Sequence, residues 1–334
     1  MITRTVSVIM LVAAAFSGFS QTWSVADPPS IQTQGIRDIV PDAYLTYTLD
    51  VAAIKQVLWS APDEYLTPVE QSQVLLTVAL ANGESDVFKI VEYEIMEIEE
   101  AALFPEIKTF IGVSISNPYR RMHADWTTNG FRAVIRDLEG VTYIDPFQRN
   151  DLSHRIVYRK SDSPRIGHWT CSVEDDPDIH SSGSSGRAFG DCMFRSYRLA
   201  LATTGEYSNF FGATSSSQQA LVMSQVITAI NRVNEVYEQD VTARLILVAN
   251  THLLFYYAPG SDPYTNNNGS TMLGENQTNV TAVIGSANYD IGHVFSTGGG
   301  GVAVLGSVCN TSSKAQGVTG SSNPVGDGFT IDYV

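Results

Sequence analysis

Between Asp38 and Lys160 the apolar positions fall in short runs divided by turn residues, the pattern of a β-rich region. Leu75, Leu76, Val78 and Leu80 lead into Asn82-Gly83, and Val87, Phe88, Ile90 and Val91 lead away from it. Asn-Gly accepts the left-handed backbone of a tight hairpin, so two antiparallel strands are predicted there. Phe131 to Ile135 and Val141 to Ile144 flank Leu138-Glu139-Gly140 in the same way. Leu49 to Leu58 breaks the pattern and reads as a short helix that Asp50 can cap. Beyond Met193 the grammar changes. Leu199 to Ala202 forms a first strand, and Ser215, Ser216 or Ser217 can cap a helix running to about Tyr237. Met223, Ile227, Ile230, Val233 and Tyr237 recur there at intervals of three and four, giving one apolar stripe. Val241, Ala243, Leu245, Leu247 and Ala249 then alternate with mixed residues, as in a strand packed on that helix.

Ser161-Asp162-Ser163-Pro164, Asp175-Asp176-Pro177-Asp178 and Ser181-Ser182-Gly183-Ser184-Ser185-Gly186 are too polar to bury, and they read as an exposed, cleavable linker. At the amino terminus, Arg4 precedes an apolar stretch from Val6 to Phe16 that is short for a bilayer span, with Gly18 and Ser20 before Gln21. That is a signal-peptide pattern and implies a secreted or extracellular protein, with no stable membrane insertion after removal. The expected divisions are 1–20 signal peptide, 21–160 β-rich domain, 161–192 linker and 193–334 α/β domain, an α+β fold class. With 20 basic against 35 acidic side chains, the net charge of -15 repels nucleic acid and leaves polypeptides or small ions as partners.

Several short strings carry a family resemblance. They are Tyr197-Arg198-Leu199-Ala200-Leu201-Ala202-Thr203-Thr204-Gly205-Glu206-Tyr207, the helix from about Gln218, the strand from Val241, and Gly298-Gly299-Gly300-Gly301-Val302-Ala303-Val304-Leu305-Gly306-Ser307-Val308-Cys309. Over Phe194 to Val334 the chain resembles the first half of a reprolysin-like (adamalysin-like) metzincin zinc metallopeptidase domain. The resemblance implies the upper part of a zincin-like α/β catalytic domain, with a mixed twisted sheet and long helices. It also implies that the β-rich part is a propeptide; an ordinary accessory domain is the other reading. Val302, Ala303, Val304 and Leu305 would form the edge strand that holds an extended polypeptide substrate, or else a plain core strand.

The family's next element is a helix bearing His-Glu-x-x-His-x-x-Gly-x-x-His, whose imidazoles hold zinc and whose glutamate takes a proton from the metal-bound water. No His-Glu pair occurs among the six histidines, and His293 is the last of them. The run Gly328 to Val334 reads as an element cut while forming. The expectation is therefore a secreted metalloendopeptidase precursor represented by an inactive fragment. Zinc would be the cofactor of the whole protein and would be absent from this stretch. The alternative is a non-catalytic, secreted, β-rich binding or surface module.

Three cysteines allow one disulfide and leave one thiol over. Cys171 and Cys192 are spaced for a linker disulfide, while Cys171 is also the candidate for a latency cysteine. Cys309 matches the family cysteine whose usual partner follows the zinc helix. His168 and His180 flank acidic linker residues, His252 reads as a strand-edge residue, and His293 as a structural hydrogen-bonding histidine or a ligand. Gly298 to Gly301 lack the Lys-Ser/Thr ending of a nucleotide loop and suit close backbone approach. The triplets at Asn268, Asn276, Asn279 and Asn310 match the glycosylation pattern.

Overall fold

The computed structural model describes residues 22–28, 31, 35–163, 171–174, 193–298, 300–326 and 328–333. The expected signal peptide, Cys192, His168 and His180 lie outside the described residues.

The first sheet contains β1 (Trp23–Val25), β2 (Leu45–Leu49), β3 (Leu75–Ala79), β4 (Ser85–Glu92), β5 (Lys108–Ser114), β6 (Arg121–Thr127), β7 (Gly130–Asp137), β8 (Gly140–Pro146) and β9 (His154–Arg159). All neighbours are antiparallel, in the order β1-β2-β9-β8-β7-β6-β5-β4-β3. Alternation along these strands sends Leu76, Val78, Phe88, Ile90, Phe110 and Phe131 into one shared core. The sheet curls almost into a barrel, because the Trp23 indole of β1 donates to the Thr77 carbonyl of β3 at 2.8 Å. Both predicted hairpins are present: Gly83 turns β3 into β4 at φ 89°, and Gly140 pairs with Asp137 across the β7–β8 turn at φ 129°. Helix α1 (Val51–Leu58) follows β2, and the Asp50 carboxylate accepts from the Ala53 amide at 2.9 Å as its cap. A one-turn helix, α2 (Ile98–Ala101), lies between β4 and β5.

The second sheet contains β10 (Cys171–Glu174), β11 (Arg195–Thr203), β12 (Ala243–Leu247), β13 (Ile291–Ser296), β14 (Gly300–Val304) and β15 (Gly317–Gly320). Their order is β10-β14-β15-β13-β11-β12, and β14 and β15 are the antiparallel pair in an otherwise parallel set. Helix α3 (Gly205–Phe210) follows β11, and the long α4 (Gln219–Asp240) precedes β12. Helix α5 (Gly269–Val283) covers the opposite face from α4, burying Met272, Leu273 and Val280.

Four features differ from the sequence reading. The long helix starts after a 3-10 turn, Ser216–Gln218, and no serine side chain caps it. The strand expected from Val241 begins at Ala243, because Val241 still closes α4 and Thr242 turns at φ 55°. Helix α5 was not expected, since its Asn-, Thr- and Gly-rich residues bury few apolar side chains. Finally, residues 171–174 of the expected linker form β10, because strand pairing needs main-chain groups and not apolar side chains.

Helix α4 is buried on two sides. Its apolar stripe, with Ile227, Ile230 and Val233, packs against Leu199, Leu245 and Leu247 of the second sheet. Asn234 fastens this side by exchanging hydrogen bonds with the main chain of Leu245 at 2.9 and 2.8 Å. The other side is polar and meets β6, β7 and β8 of the first sheet. Ser224 bonds Thr128, Thr228 donates to Asp125 at 3.1 Å, and Asn231 meets His123 at 3.3 Å. Arg232 donates to Asp145 at 2.7 Å, and Glu235 accepts from Arg136 at 2.8 Å. The Arg232 and Asp145 side chains are 3% and 1% exposed, so neither charge has water as a substitute partner.

Breaking such a buried pair by removing one partner costs about 3–5 kcal/mol. Asp145 also accepts from the Tyr158 hydroxyl at 2.9 Å and has Arg132 at 3.6 Å, which places Arg232→Met at the lower end, about 3 kcal/mol. Urea unfolding should show that loss, and the double variant Arg232→Met/Asp145→Leu should recover part of it. A single variant with an unchanged midpoint would refute the assignment.

Candidate functional site

The glycine-rich run is shaped by close backbone contacts. A Cβ on Gly298 would lie 2.0 Å from the Asn266 carbonyl oxygen, and one on Gly320 would lie 2.3 Å from the Gly298 carbonyl oxygen. Side chains are excluded there, so β14 can enter the sheet beside β15. Val302 turns inward beneath α5, where the missing Cβ of Gly269 leaves it room, while Ala303 is exposed. Leu305 follows the strand and is also exposed.

One side of β14 pairs antiparallel with β15, from Gly300 opposite Gly320 to Ala303 opposite Gly317. The other side is not free. It pairs in parallel with β10, which places Cys171 opposite Gly301, Ser172 opposite Val302, Val173 opposite Ala303 and Glu174 opposite Val304. The strand read as an edge is therefore second from the edge, with a segment of the expected linker outside it. Of Cys171 only the backbone is described, and Cys192 lies outside the described residues. Cys309 is exposed, unpaired among the described residues, and held at φ 62° with its amide donating to the Asp290 carbonyl at 3.0 Å.

The described histidines are dispersed. His123 is buried against Asn231 with its ring 5.1 Å from that of Tyr93, and His154 meets Asp151 at 2.9 Å. His252 was read as a strand-edge residue; it sits in the 3-10 turn Thr251–Leu254, with Nδ1 2.9 Å from the Glu100 carboxylate. His293 lies on β13 with Nε2 2.8 Å from the Thr319 hydroxyl. Among the described residues no three His, Cys, Asp or Glu side chains gather to hold a metal ion. These residues therefore do not fit a zinc site.

Of the glycosylation-like asparagines, one is buried and another is half-buried with both ends of its amide engaged. Asn276 is fully buried, donates to the Ala315 carbonyl at 2.7 Å and accepts from the Tyr264 hydroxyl at 2.8 Å. Asn279 donates to Tyr264 at 2.9 Å and accepts from Tyr256 at 2.7 Å. This Tyr–Asn ladder locks α5 beneath the sheet. Only the spacing of Asn276 and Asn279 on one helix could have signalled it.

Residues 223–334, from α4 through β15, match the model of the metallopeptidase family M12B, reprolysin-like. Over that stretch the chain is similar to the reprolysin-like metallopeptidases. A crystal structure of metalloproteinase-II from Bacteroides fragilis is similar over 78% of this chain and 80% of its own, at 11% identity and a TM-score of 0.40. No curated protein matches. The His-Glu-x-x-His motif of that family is absent from the sequence.

Two buried groups of the chain titrate in opposition. Enclosure pulls His293 down to about 4, and burial pushes Asp125 up to about 6. A histidine with a depressed folded pKa gives stability that is lost as pH falls from about 6.5 towards 4. A carboxyl with a raised folded pKa acts oppositely, and its stability is gained as pH falls from about 6 to 4. Burial also lowers His123, which adds to the His293 direction. Between pH 6.5 and 4, Asp125→Asn should therefore lose stability more steeply than the unmodified chain, and His293→Gln less steeply. Denaturant midpoints across that range check this, and parallel profiles would refute it.

Proposed function

We propose that the chain is part of a secreted precursor of a zinc-dependent metalloendopeptidase. In this reading residues 193–334 supply the scaffold of the peptidase unit and β14 is the wall along which an extended polypeptide substrate lies. The observation that carries it is the pairing of β10 with β14. The outer side of β14 already accepts an extended segment through main-chain hydrogen bonds, the mode by which a sheet edge holds a peptide while alternate side chains provide selectivity. Residues 21–160 then act as the propeptide part, and β10 stands in for substrate until the polar segment around it is cut. Cys171 opens β10, so it is carried to the same wall whether it serves as a latency thiolate or as a disulfide partner of Cys192. The apolar run from Val6 to Phe16 supports export. Among the described residues no helix is long and apolar enough to cross a membrane.

No step of peptide hydrolysis is assigned to the described histidines, since each is held at a separate place by its own partner. The polypeptide of 334 residues should bind less than one equivalent of zinc in equilibrium dialysis and leave casein uncut. Stoichiometric zinc together with turnover would overturn the assignment of the metal site to other residues. Reading the gene past the codon for Val334 tests the larger claim: a His-Glu-x-x-His helix supports it, and an immediate stop codon overturns it.

A further inference from the structure

We propose that the nine-stranded unit is a permanent, non-covalent partner of the peptidase unit, and that cutting the chain within residues 175–192 does not release it. The inference deepens the reading of the first unit as a propeptide and rests on that reading for the cut itself. Its grounds lie at the sheet edge farthest from β14.

At that edge Met96 bridges Leu247 of β12 in the parallel sense. The Leu247 amide donates to the Ile95 carbonyl at 2.8 Å, and the Glu97 amide donates to the Leu247 carbonyl at 2.8 Å. A piece of the first unit thus extends the second sheet. Two carboxylates reinforce it. Glu97 accepts from the Ala249 amide at 2.8 Å, and the fully buried Glu100 accepts from the His252 amide at 2.9 Å. Arg244 of β12 reaches back to Glu64 at 2.8 Å with its guanidinium 4.2 Å from the centre of the Tyr93 ring, and the Tyr93 hydroxyl donates to Glu238 at 2.7 Å. Behind these contacts Tyr93, Ile95, Phe104 and Ile107 belong to the same buried core as Ile230 and Leu245.

Parting the units would bare that core, reopen the β12 edge and leave Glu100, Asp145 and Arg232 to be rehydrated together. Interfaces built like a divided domain core belong to lasting complexes. The β14 edge is held differently, by main-chain pairing over the four residues of β10. A cut after β10 leaves that strand tethered to a unit that stays bound, at an effective concentration on the order of millimolar. Clearing β14 therefore takes a second cut before Cys171, which frees β10 alone.

The test uses the full chain with one site-specific protease sequence placed within residues 181–186 and a different one within residues 164–170. After one or both cuts, size exclusion at about 1 μM protein should show the two large pieces eluting together at the volume of the uncut chain, and apart only in denaturant. Two peaks in native buffer, or precipitation of one piece with the other left soluble, would overturn the inference. In the cut protein, Glu97→Ala with Glu100→Ala should raise the dissociation constant at least tenfold; no change would overturn the β12 edge as the holding surface. Separation would leave the peptidase reading intact, and zinc turnover by the chain would leave co-elution untouched, so the two failures are distinguishable.

Discussion

Helix α4 presents a polar stripe where a surface helix would meet water, and here that stripe is buried. Ser224, Thr228, Asn231, Arg232 and Glu235 each need a partner once solvent is removed, because an unpaired buried polar group costs about 1–3 kcal/mol and an unpaired charge more. The first sheet supplies Thr128, Asp125, His123, Asp145 and Arg136 in the same order along the helix. Sliding the helix by one turn would break several of these pairs at once. The two sheets are therefore fixed relative to each other by one helix that reads both of them, with apolar packing on one side and matched polar groups on the other.

That arrangement has a consequence for the exposed margins of the second sheet. An open sheet edge is a template for strand addition, and here residues from the amino-terminal side cover both margins. At β12 the cover is Ile95 to Glu97, backed by carboxylates and shared core. At β14 it is β10, joined through its backbone. The same pairing leaves the outer side of β14 occupied. The two margins are thus held differently, one by carboxylates and a shared core and the other by main-chain pairing.

The features that could be read without coordinates were those dictated locally. Asn82-Gly83 and Glu139-Gly140 made turns because their backbones go where other residues are strained, and Asp50 capped α1 because its carboxylate reaches the amide three residues on. The long helix was visible from its apolar spacing. Helix α5 was not, because it is held by Asn276 and Asn279 bonding Tyr264 and Tyr256, and hydrogen bonds of that kind leave no apolar period in a sequence. His252 was misplaced for a related reason: its partner Glu100 is far off in the chain, and that contact draws it into a 3-10 turn. Strand β10 was hidden by its polar surroundings, since backbone pairing does not depend on side-chain character.

By itself the amino-acid sequence determined the two hairpins, the capped α1 and the long α4, the family strings after Met193, and the lack of a histidine pair spaced to hold a metal. These follow from interactions within a few residues, or from residue identity alone. Only the tertiary structure decided which surface α4 turns to which sheet, that a polar segment of the expected linker lies against β14, and that Ile95 to Glu97 close the opposite margin. Each of these depends on pairing between groups distant along the chain, and short-range spacing carries no record of which distant partner will satisfy a buried charge or an open backbone edge.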